Sequence, residues 1–258
     1  MNLFTQFYKS LYSPKDIAGV RNQGIGKTIL YILFISILTI LPLFITFVQV
    51  FNETYTLSER MVNKELPDFQ IEEGQLKADL AKPLIMNEAN NTTFIFDPTG
   101  EISVDKAATY HNAIALLEYD AVISFSGQTE TMSYRTLGID NLTKQDLQNF
   151  IDGIGSLKTV ILVVTFVLYY LIQVAGHLIT VTVLALIGLI LKNALKLQIN
   201  YGNIWKMSAY ALTLPAMFFM IMNYFQAAVP FRSIINWAVM IIMLHLAMKE
   251  ITNEEKLI

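Results

Sequence analysis

Four long stretches without a charged residue limit what this chain can fold into. They cover residues 28–52, 159–191, 207–231 and 233–248, and contain 25, 33, 25 and 16 residues. A helix needs about 20 apolar residues to cross a bilayer core of ~30 Å. The first three stretches meet that length, and the fourth is flanked by Arg232 and Lys249, whose long side chains can reach the interfaces. The pattern therefore predicts four transmembrane helices.

The composition agrees with a membrane protein and excludes several kinds of site. Of 258 residues, 54% are hydrophobic and 15% are charged, whereas a soluble domain is about 25% charged. The mean hydropathy is +0.47. A net charge of −3 provides no overall basic surface, so we expect no nucleic-acid partner. Without cysteine, the chain has no disulfide framework, thiolate metal site or cysteine nucleophile.

The second charge-free stretch is longer than one bilayer crossing requires. Its 33 residues would extend ~50 Å as a helix. Two short passes would need a polar turn near Gly176 and His177, and the sequence has none there. We therefore predict one long, tilted helix, with a break at Gly176 or Gly188 as the alternative. The apolar stretches show no period-two alternation, which argues against a barrel.

Lysine and arginine residues beside the spans predict the orientation in the membrane. Four basic residues precede the first span, and three lysines with no acidic residue lie between the second and third spans. Both segments should be cytoplasmic under the positive-inside rule. Residues 52–158 contain 17 acidic and 8 basic residues, a net charge of −9, and are expected outside. This arrangement places both termini in the cytoplasm of a multi-pass cell-membrane protein.

The predicted fold is an integral-membrane α-helical bundle of four transmembrane helices with an inserted small α+β extracytoplasmic domain. Apolar residues on one helical face of residues 1–12 predict an amphipathic helix that lies on the inner leaflet. The predicted segments are a cytoplasmic amphipathic N-terminal segment (1–27), transmembrane helix 1 (28–51), the extracytoplasmic domain (52–158), the long transmembrane helix 2 (159–191), a basic cytoplasmic loop (192–206), transmembrane helix 3 (207–229), transmembrane helix 4 (232–249) and a cytoplasmic tail (250–258).

Two hairpins are predicted in the outer domain. Phe69–Glu72 alternates between apolar and polar residues, and Glu73–Gly74 is typical of a tight turn into a second strand. Residues 122–125 are expected to pair with residues 129–136 across Ser126, Gly127 and Gln128.

A further strand and a helix start are also predicted there. Residues 92–96 form the strand, which ends at Asp97–Pro98–Thr99–Gly100, a sequence that fits a type I turn. Thr143 and Asp146 have the spacing of a capping box, which indicates a helix running towards the second span.

Polar residues inside the predicted spans are the candidate functional residues. Gln173 and His177 are four residues apart and share one helix face, Asn223 lies in the third span, and Asn236 and His245 lie in the fourth. Ionisable groups within a span suggest function, while hydrogen bonding between helices is the structural alternative. Because no Asp, Glu, Lys or Arg lies deep in a predicted span, we favour the structural role.

No catalytic, cofactor-binding or metal-binding residue is predicted. Gly24–Thr28 resembles the end of a phosphate-binding loop, but Arg21 occupies the position of the first glycine in that motif. Asp97 has no second Asp-Thr-Gly copy with which to form a protease carboxylate pair. His111 lies in no recognised pattern of metal ligands.

Several motifs together resemble a known bacterial membrane-protein family. These are Lys9–Pro14, the glycines Gly24 and Gly26 before a span that contains Pro42, and the strand that ends at Asp97–Gly100. The family is catalogued as domain of unknown function 1189 and occurs mainly in Gram-positive bacteria. The resemblance covers nearly the whole chain and implies an architecture without implying a catalytic residue. Some members carry a maltodextrin-utilisation label.

The C-terminal half also resembles the Yip-type membrane fold. The similar features are the tyrosines between Tyr201 and Tyr210 and the proline Pro215 within a span. The chain departs from that fold in its number of predicted spans, four instead of five.

The predicted function is that of a non-enzymatic multi-pass membrane protein. Its extracytoplasmic domain would bind a ligand or partner protein in a sensing, regulatory or scaffolding role. One alternative is an accessory subunit of a transport system for maltodextrin or another sugar. A second is an intramembrane enzyme, which would require His177 and His245 to meet. The expected partners are the lipid bilayer and other membrane proteins, either a transporter subunit, a sensor or further copies of the chain.

Overall fold

The computed structural model describes residues 2–87, 92–110, 112–125 and 127–255. The chain divides into two compact units. The bundle unit contains residues 1–50 and 160–258, and the sheet unit contains residues 51–159. Each unit has its own cluster of buried apolar side chains.

The helices of the described residues include four regions that are long and apolar enough to cross a membrane. These regions are Ile25–Glu65, Lys144–Leu195, Tyr201–Tyr224 and Arg232–Thr252. Each predicted charge-free stretch overlaps one of them, which confirms the prediction of four helices with the length and composition of membrane spans. The α-helices are α1 (Leu3–Ser10), α2 (Pro14–Gly19), α3 (Ile25–Arg60), α4 (Val104–Ala108), α5 (Lys144–Leu195), α6 (Tyr201–Ala211), α7 (Thr213–Tyr224) and α8 (Arg232–Glu255).

The helices α3 and α5 extend well beyond the predicted spans. Helix α3 has 36 residues and is followed by a π-helical segment, Met61–Glu65. Helix α5 has 52 residues and continues through both Gly176 and Gly188. Its start carries the predicted capping box. The Thr143 hydroxyl accepts from the Asp146 backbone N–H at 3.2 Å, and the Asp146 carboxylate accepts from the Thr143 N–H at 3.0 Å.

Helix α6 begins earlier than the predicted third span. The Asn200 side chain accepts a hydrogen bond from the Asn203 N–H at 2.8 Å and caps the helix, so that α6 starts at Tyr201. Lys206, the predicted end of the basic loop, therefore lies inside α6. Its ammonium group donates to the backbone carbonyls of Arg21 and Gln23, so the positive charge of Lys206 has hydrogen-bond partners inside the bundle unit.

The third candidate span is divided between α6 and α7, which are separated at Leu212. Pro215 follows this point closely. Because proline has no N–H, the residue four positions earlier, Ala211, receives no helical hydrogen bond from it. This accounts for the break in a segment that is apolar throughout.

The bundle core forms where α3, α5, α6 and α8 contribute fully buried side chains, among them Tyr31, Leu184, Ile204 and Leu244. Gly188 of α5 lies at a close helix approach. A Cβ atom there would collide with Ile204 and would lie 3.1 Å from Leu244 Cδ2. Small residues allow helices in membranes to approach closely.

The N-terminal helices pack against the bundle. Ile17 and Ala18 of α2 are fully buried, and the apolar face of α1 contributes partly buried residues to the same core, including Leu3 and Phe7. The predicted amphipathic helix is therefore present, but much of its apolar face contacts protein. Phe4, by contrast, remains 69% exposed.

A closed ring of three hydrogen bonds holds these N-terminal helices to α6. Gln6 donates to Gln23 at 2.9 Å, Gln23 donates to the Tyr210 hydroxyl at 2.6 Å, and Tyr210 donates to Gln6 at 2.8 Å. Beside the ring, hydrogen bonds from Lys9 and then Ser13 hold the pKa of the Asp16 carboxyl below its usual range.

The sheet unit contains two sheets in its described residues. The strands are β1 (Phe69–Glu72), β2 (Gln75–Ala78), β3 (Leu84–Asn87), β4 (Thr93–Phe96), β5 (Asn112–Leu116), β6 (Asp120–Phe125), β7 (Gln128–Ser133) and β8 (Asn141–Thr143). The order is β2-β1-β8 in the first sheet and β3-β4-β5-β6-β7 in the second. All pairs are antiparallel except β4 and β5, which are parallel and are connected through α4. A small α+β region is thus confirmed.

Both predicted hairpins are present. In the first, Glu72 pairs with Gln75, and Glu73 and Gly74 have φ of 51° and 77°, as a type I′ turn requires. In the second, β6 pairs with β7, but Gln128 pairs with Phe125 and belongs to the strand, and the strand ends at Ser133 and not at residue 136. Ser126, in its turn, lies outside the described residues. The sequence analysis missed β3, β5, β8 and α4.

The predicted turn after β4 is built around the side chain of Asp97. This carboxylate is fully buried and accepts from the backbone N–H groups of Thr99 at 2.9 Å, Gly100 at 3.1 Å and Ile102 at 2.6 Å. Gly100 has a φ of 76°, a conformation that favours glycine. Asp97 therefore stabilises the loop between β4 and α4.

Candidate functional site

A partly open cavity of about 640 Å³ lies in the bundle unit and is here called the bundle cavity. Its wall combines apolar and polar side chains, and polar side chains on apolar helices cost free energy unless they bind one another or a ligand. The polar lining residues are Thr39, Thr46, Gln173, His177, Thr180, Asn223, Gln226, Arg232, Ser233 and Asn236, and the apolar ones are Ile40, Pro42, Leu43, Leu212, Ala216, Phe219 and Met220.

At one side of the bundle cavity, polar side chains join α3 to α5. The Gln173 amide nitrogen lies 3.1 Å from both the Thr39 hydroxyl and His177 Nε2. His177 Nδ1 lies 2.8 Å from the Ser36 hydroxyl. The Gln173–Thr39 and His177–Ser36 contacts link the two helices, while the Gln173–His177 contact lies within α5, and together they help to fix the rotation of one helix against the other.

The hydrogen-bond pattern assigns the protonation of His177. The Ser36 hydroxyl lies 2.8 Å from the Ile32 carbonyl and donates to it, so its oxygen accepts from His177 Nδ1–H. Nε2 is then the acceptor for the Gln173 amide. The imidazole is thus a neutral Nδ1–H tautomer, assigned from its partners. Both ring nitrogens are engaged, which suits a structural role better than that of a base or metal ligand.

The lining of the bundle cavity also contains Arg232, the first residue of α8. Its guanidinium donates to Asn223 Oδ1 at 2.9 Å and lies over the Phe219 ring, 4.9 Å from the ring centroid. Hydrogen bonding and the aromatic face both orient the cation. Arg232 is the charged residue of the lining.

Four of the five candidate residues line the bundle cavity: Gln173, His177, Asn223 and Asn236. The expectation that Gln173 and His177 share a helix face is confirmed by their contact.

His245 is placed elsewhere. It does not line the bundle cavity, and it follows Leu244, which packs beside Gly188. Gly188 lies ~16 Å along the axis of α5 from His177, at a rise of ~1.5 Å per residue. The two histidines therefore occupy different levels of the bundle.

The sequence analysis missed Thr39, Ser36 and Arg232. Hydroxyl residues in a span are common, and a pattern search had no reason to select Ser36 or Thr39. Arg232 separates two charge-free stretches, which by itself predicts only an interfacial anchor. The signal that could identify it is its position at the junction of two spans.

The part of the chain that the structure describes contains no cluster of metal ligands. No group of three or more His, Cys, Asp or Glu side chains is arranged to hold an ion among those residues. His111 lies outside the described residues.

Comparisons with known proteins give one match. A family described as "Protein of unknown function (DUF1189)" has a model that matches residues 4–248. The searches of curated proteins and of solved structures return no match. None of these findings supports the Yip-type similarity.

Proposed function

Since the chain belongs to the DUF1189 family, whose function is unknown, we propose a function from the geometry of its own site. The chain is a non-enzymatic, multi-pass membrane protein. It binds a ligand or partner in a sensing, regulatory or scaffolding role. The bundle cavity carries this proposal. Polar atoms from several apolar helices face a space large enough for a small ligand. The engagement of both His177 nitrogens supports a binding role over an enzymatic one.

The proposed topology has both termini in the cytoplasm and residues 52–158 outside. It rests on the basic flanks and on the net charge of −9 in residues 52–158. In that orientation, the sheet unit is available to extracellular partners, and the bundle is available to other membrane proteins or further copies of the chain. A transport accessory role would appear as a co-purifying permease.

Cysteine labelling tests this topology directly, because the chain has no native cysteine. Glu101→Cys and Gln198→Cys each place one thiol at an exposed position. We expect a membrane-impermeant maleimide to label Glu101→Cys in intact bacterial cells and Gln198→Cys only after permeabilisation. The reverse labelling would invert the proposed orientation.

A variant that blocks the bundle cavity tests the binding role. Ser233 lines the cavity and is exposed, so Ser233→Trp should occupy its mouth without disturbing the core. The matched control is Ile242→Trp on the same helix, at a position that is 56% exposed and outside the lining.

Both variants and the unmodified protein would be extracted from native membranes into polymer-bounded lipid discs and analysed by mass spectrometry. We expect a small molecule in near-stoichiometric amount with the unmodified protein and Ile242→Trp, and its loss from Ser233→Trp. Equal bound molecules in all three proteins, or none in any, would contradict the proposal.

A further inference from the structure

We propose that the ligand of the bundle cavity is an anionic lipid whose phosphate-bearing headgroup is held by Arg232. This inference rests on the proposed function and names the chemical class of its ligand. The charge of the lining is the first observation. Arg232 is its charged residue, and no Asp or Glu among the residues that the structure describes lines the cavity. A cation in a wall of neutral polar groups favours an anion.

The binding capacity of Arg232 is the second observation. A guanidinium has five N–H donors, and its planar fork matches phosphate oxygens. In the described part of the chain, Arg232 donates to Asn223 and makes no ion pair with a carboxylate. Stacking on Phe219 holds the fork in place while leaving donors for a ligand.

Other lining residues add further donors to the cavity. The Ser233 hydroxyl and the amides of Gln226 and Asn236 belong to the lining. Arg232 and Ser233 also begin α8, a helix of 24 residues, so the first-turn N–H groups and the positive end of the helix dipole lie beside them. Together these groups can surround a phosphate with donors.

The apolar side of the cavity fits an acyl chain. Ile40, Leu43 and Met220 belong to the lining, and Leu43 is 57% exposed, so the cavity wall continues onto the outer surface of α3. Such a surface faces lipid in a membrane helix. A ligand with an anionic headgroup and an apolar tail uses both the Arg232 side and the Leu43 side.

Exposed aromatic residues place this region at the level of lipid headgroups. Tyr224, Phe225 and Phe231 are 63%, 70% and 77% exposed and stand at the ends of α7 and α8. Tyrosine and tryptophan concentrate at membrane–water interfaces, and Tyr224 is such a residue. Arg232 follows directly, so a phosphate at the interface lies within its reach. A soluble phosphate ester shares the headgroup chemistry, but it would leave the apolar wall empty.

The test measures lipid retention by the full chain. The protein would be placed in discs of phosphatidylcholine with and without phosphatidylglycerol, and bound phosphatidylglycerol would be counted by native mass spectrometry. We expect Arg232→Gln to reduce retention about tenfold or more, because hydrogen bonds to a charged group are lost. Arg232→Lys, which keeps the charge, should retain more than Arg232→Gln. Lys249→Gln removes an exposed charge at the other end of α8 and should retain as much as the unmodified protein.

Free glycerol 3-phosphate and inorganic phosphate distinguish the two sources of phosphate. We expect neither to displace the lipid. Displacement by either, dependent on Arg232, would overturn the lipid proposal in favour of a soluble phosphate compound. Equal retention by Arg232→Gln and Lys249→Gln in correctly eluting protein would also overturn it. A neutral molecule lost only from Ser233→Trp would contradict this ligand class while leaving the proposed function intact.

Discussion

Gly188→Leu is expected to unfold the bundle unit or to prevent its assembly. At this position α5 approaches α6 and α8 so closely that even a Cβ atom would collide with Ile204 and crowd Leu244. Both neighbours are fully buried, so neither has free space into which to move. Overpacking by extra methylenes costs ~1–3 kcal/mol, and a whole leucine side chain between three helices should exceed that range. The measurement is the melting temperature of purified protein in mild detergent, read by size-exclusion chromatography after heating.

Gly176→Leu is the matched control on the same helix. Nothing lies within 4 Å of a Cβ atom at Gly176. Both variants gain a similar helix propensity, about 1 kcal/mol relative to glycine, so their difference isolates the clash. We expect Gly176→Leu to melt at or above the temperature of the unmodified protein. Equal melting temperatures for the two variants would show that the close approach at Gly188 is not required.

Asp97→Ala is expected to cause the second large loss, this time in the sheet unit. It removes the acceptor for three backbone N–H groups, of which that of Ile102 is buried, while Thr99 and Gly100 are exposed residues. Hydrogen bonds to a charged group contribute ~1.5–3 kcal/mol, and a buried donor left without a partner costs ~1–3 kcal/mol. We therefore expect a loss of about 3–5 kcal/mol, a large part of the stability of a domain. We expect rapid protease cleavage within residues 52–158 of the full chain.

Glu101→Ala provides the comparison for Asp97→Ala. Glu101 lies in the same loop and is exposed, so its removal changes the net charge equally and leaves the buried hydrogen bonds intact. We expect its cleavage rate to match that of the unmodified protein. If both variants are cleaved at the same rate, the carboxylate of Asp97 does not hold the loop.

Local features of the sequence were enough to predict much of this fold. The hydropathy of a span depends only on the residues of that span, so the charge-free stretches located all four candidate spans. The Glu73–Gly74 turn and the Thr143–Asp146 cap depend on a few adjacent residues, and both are present. The contact between Gln173 and His177 follows from helical periodicity within one element.

Contacts between distant segments were not predictable in the same way. The parallel pairing of β4 with β5 depends on the crossover through α4, and neither strand indicates its partner. The ring of Gln6, Gln23 and Tyr210 joins residues more than 180 positions apart. An apolar face on α1 predicts burial but does not say whether lipid or protein covers it.

The sequence by itself determined which segments form the candidate spans and which polar residues lie within them. Only the tertiary structure decided that Gln173, His177 and Asn236 share the bundle cavity with Arg232, while His245 lies elsewhere. The physical reason is that the rotation and depth of each helix depend on its close contacts with other helices. Gly188 against Ile204 is one such contact, and no period within a single helix encodes it.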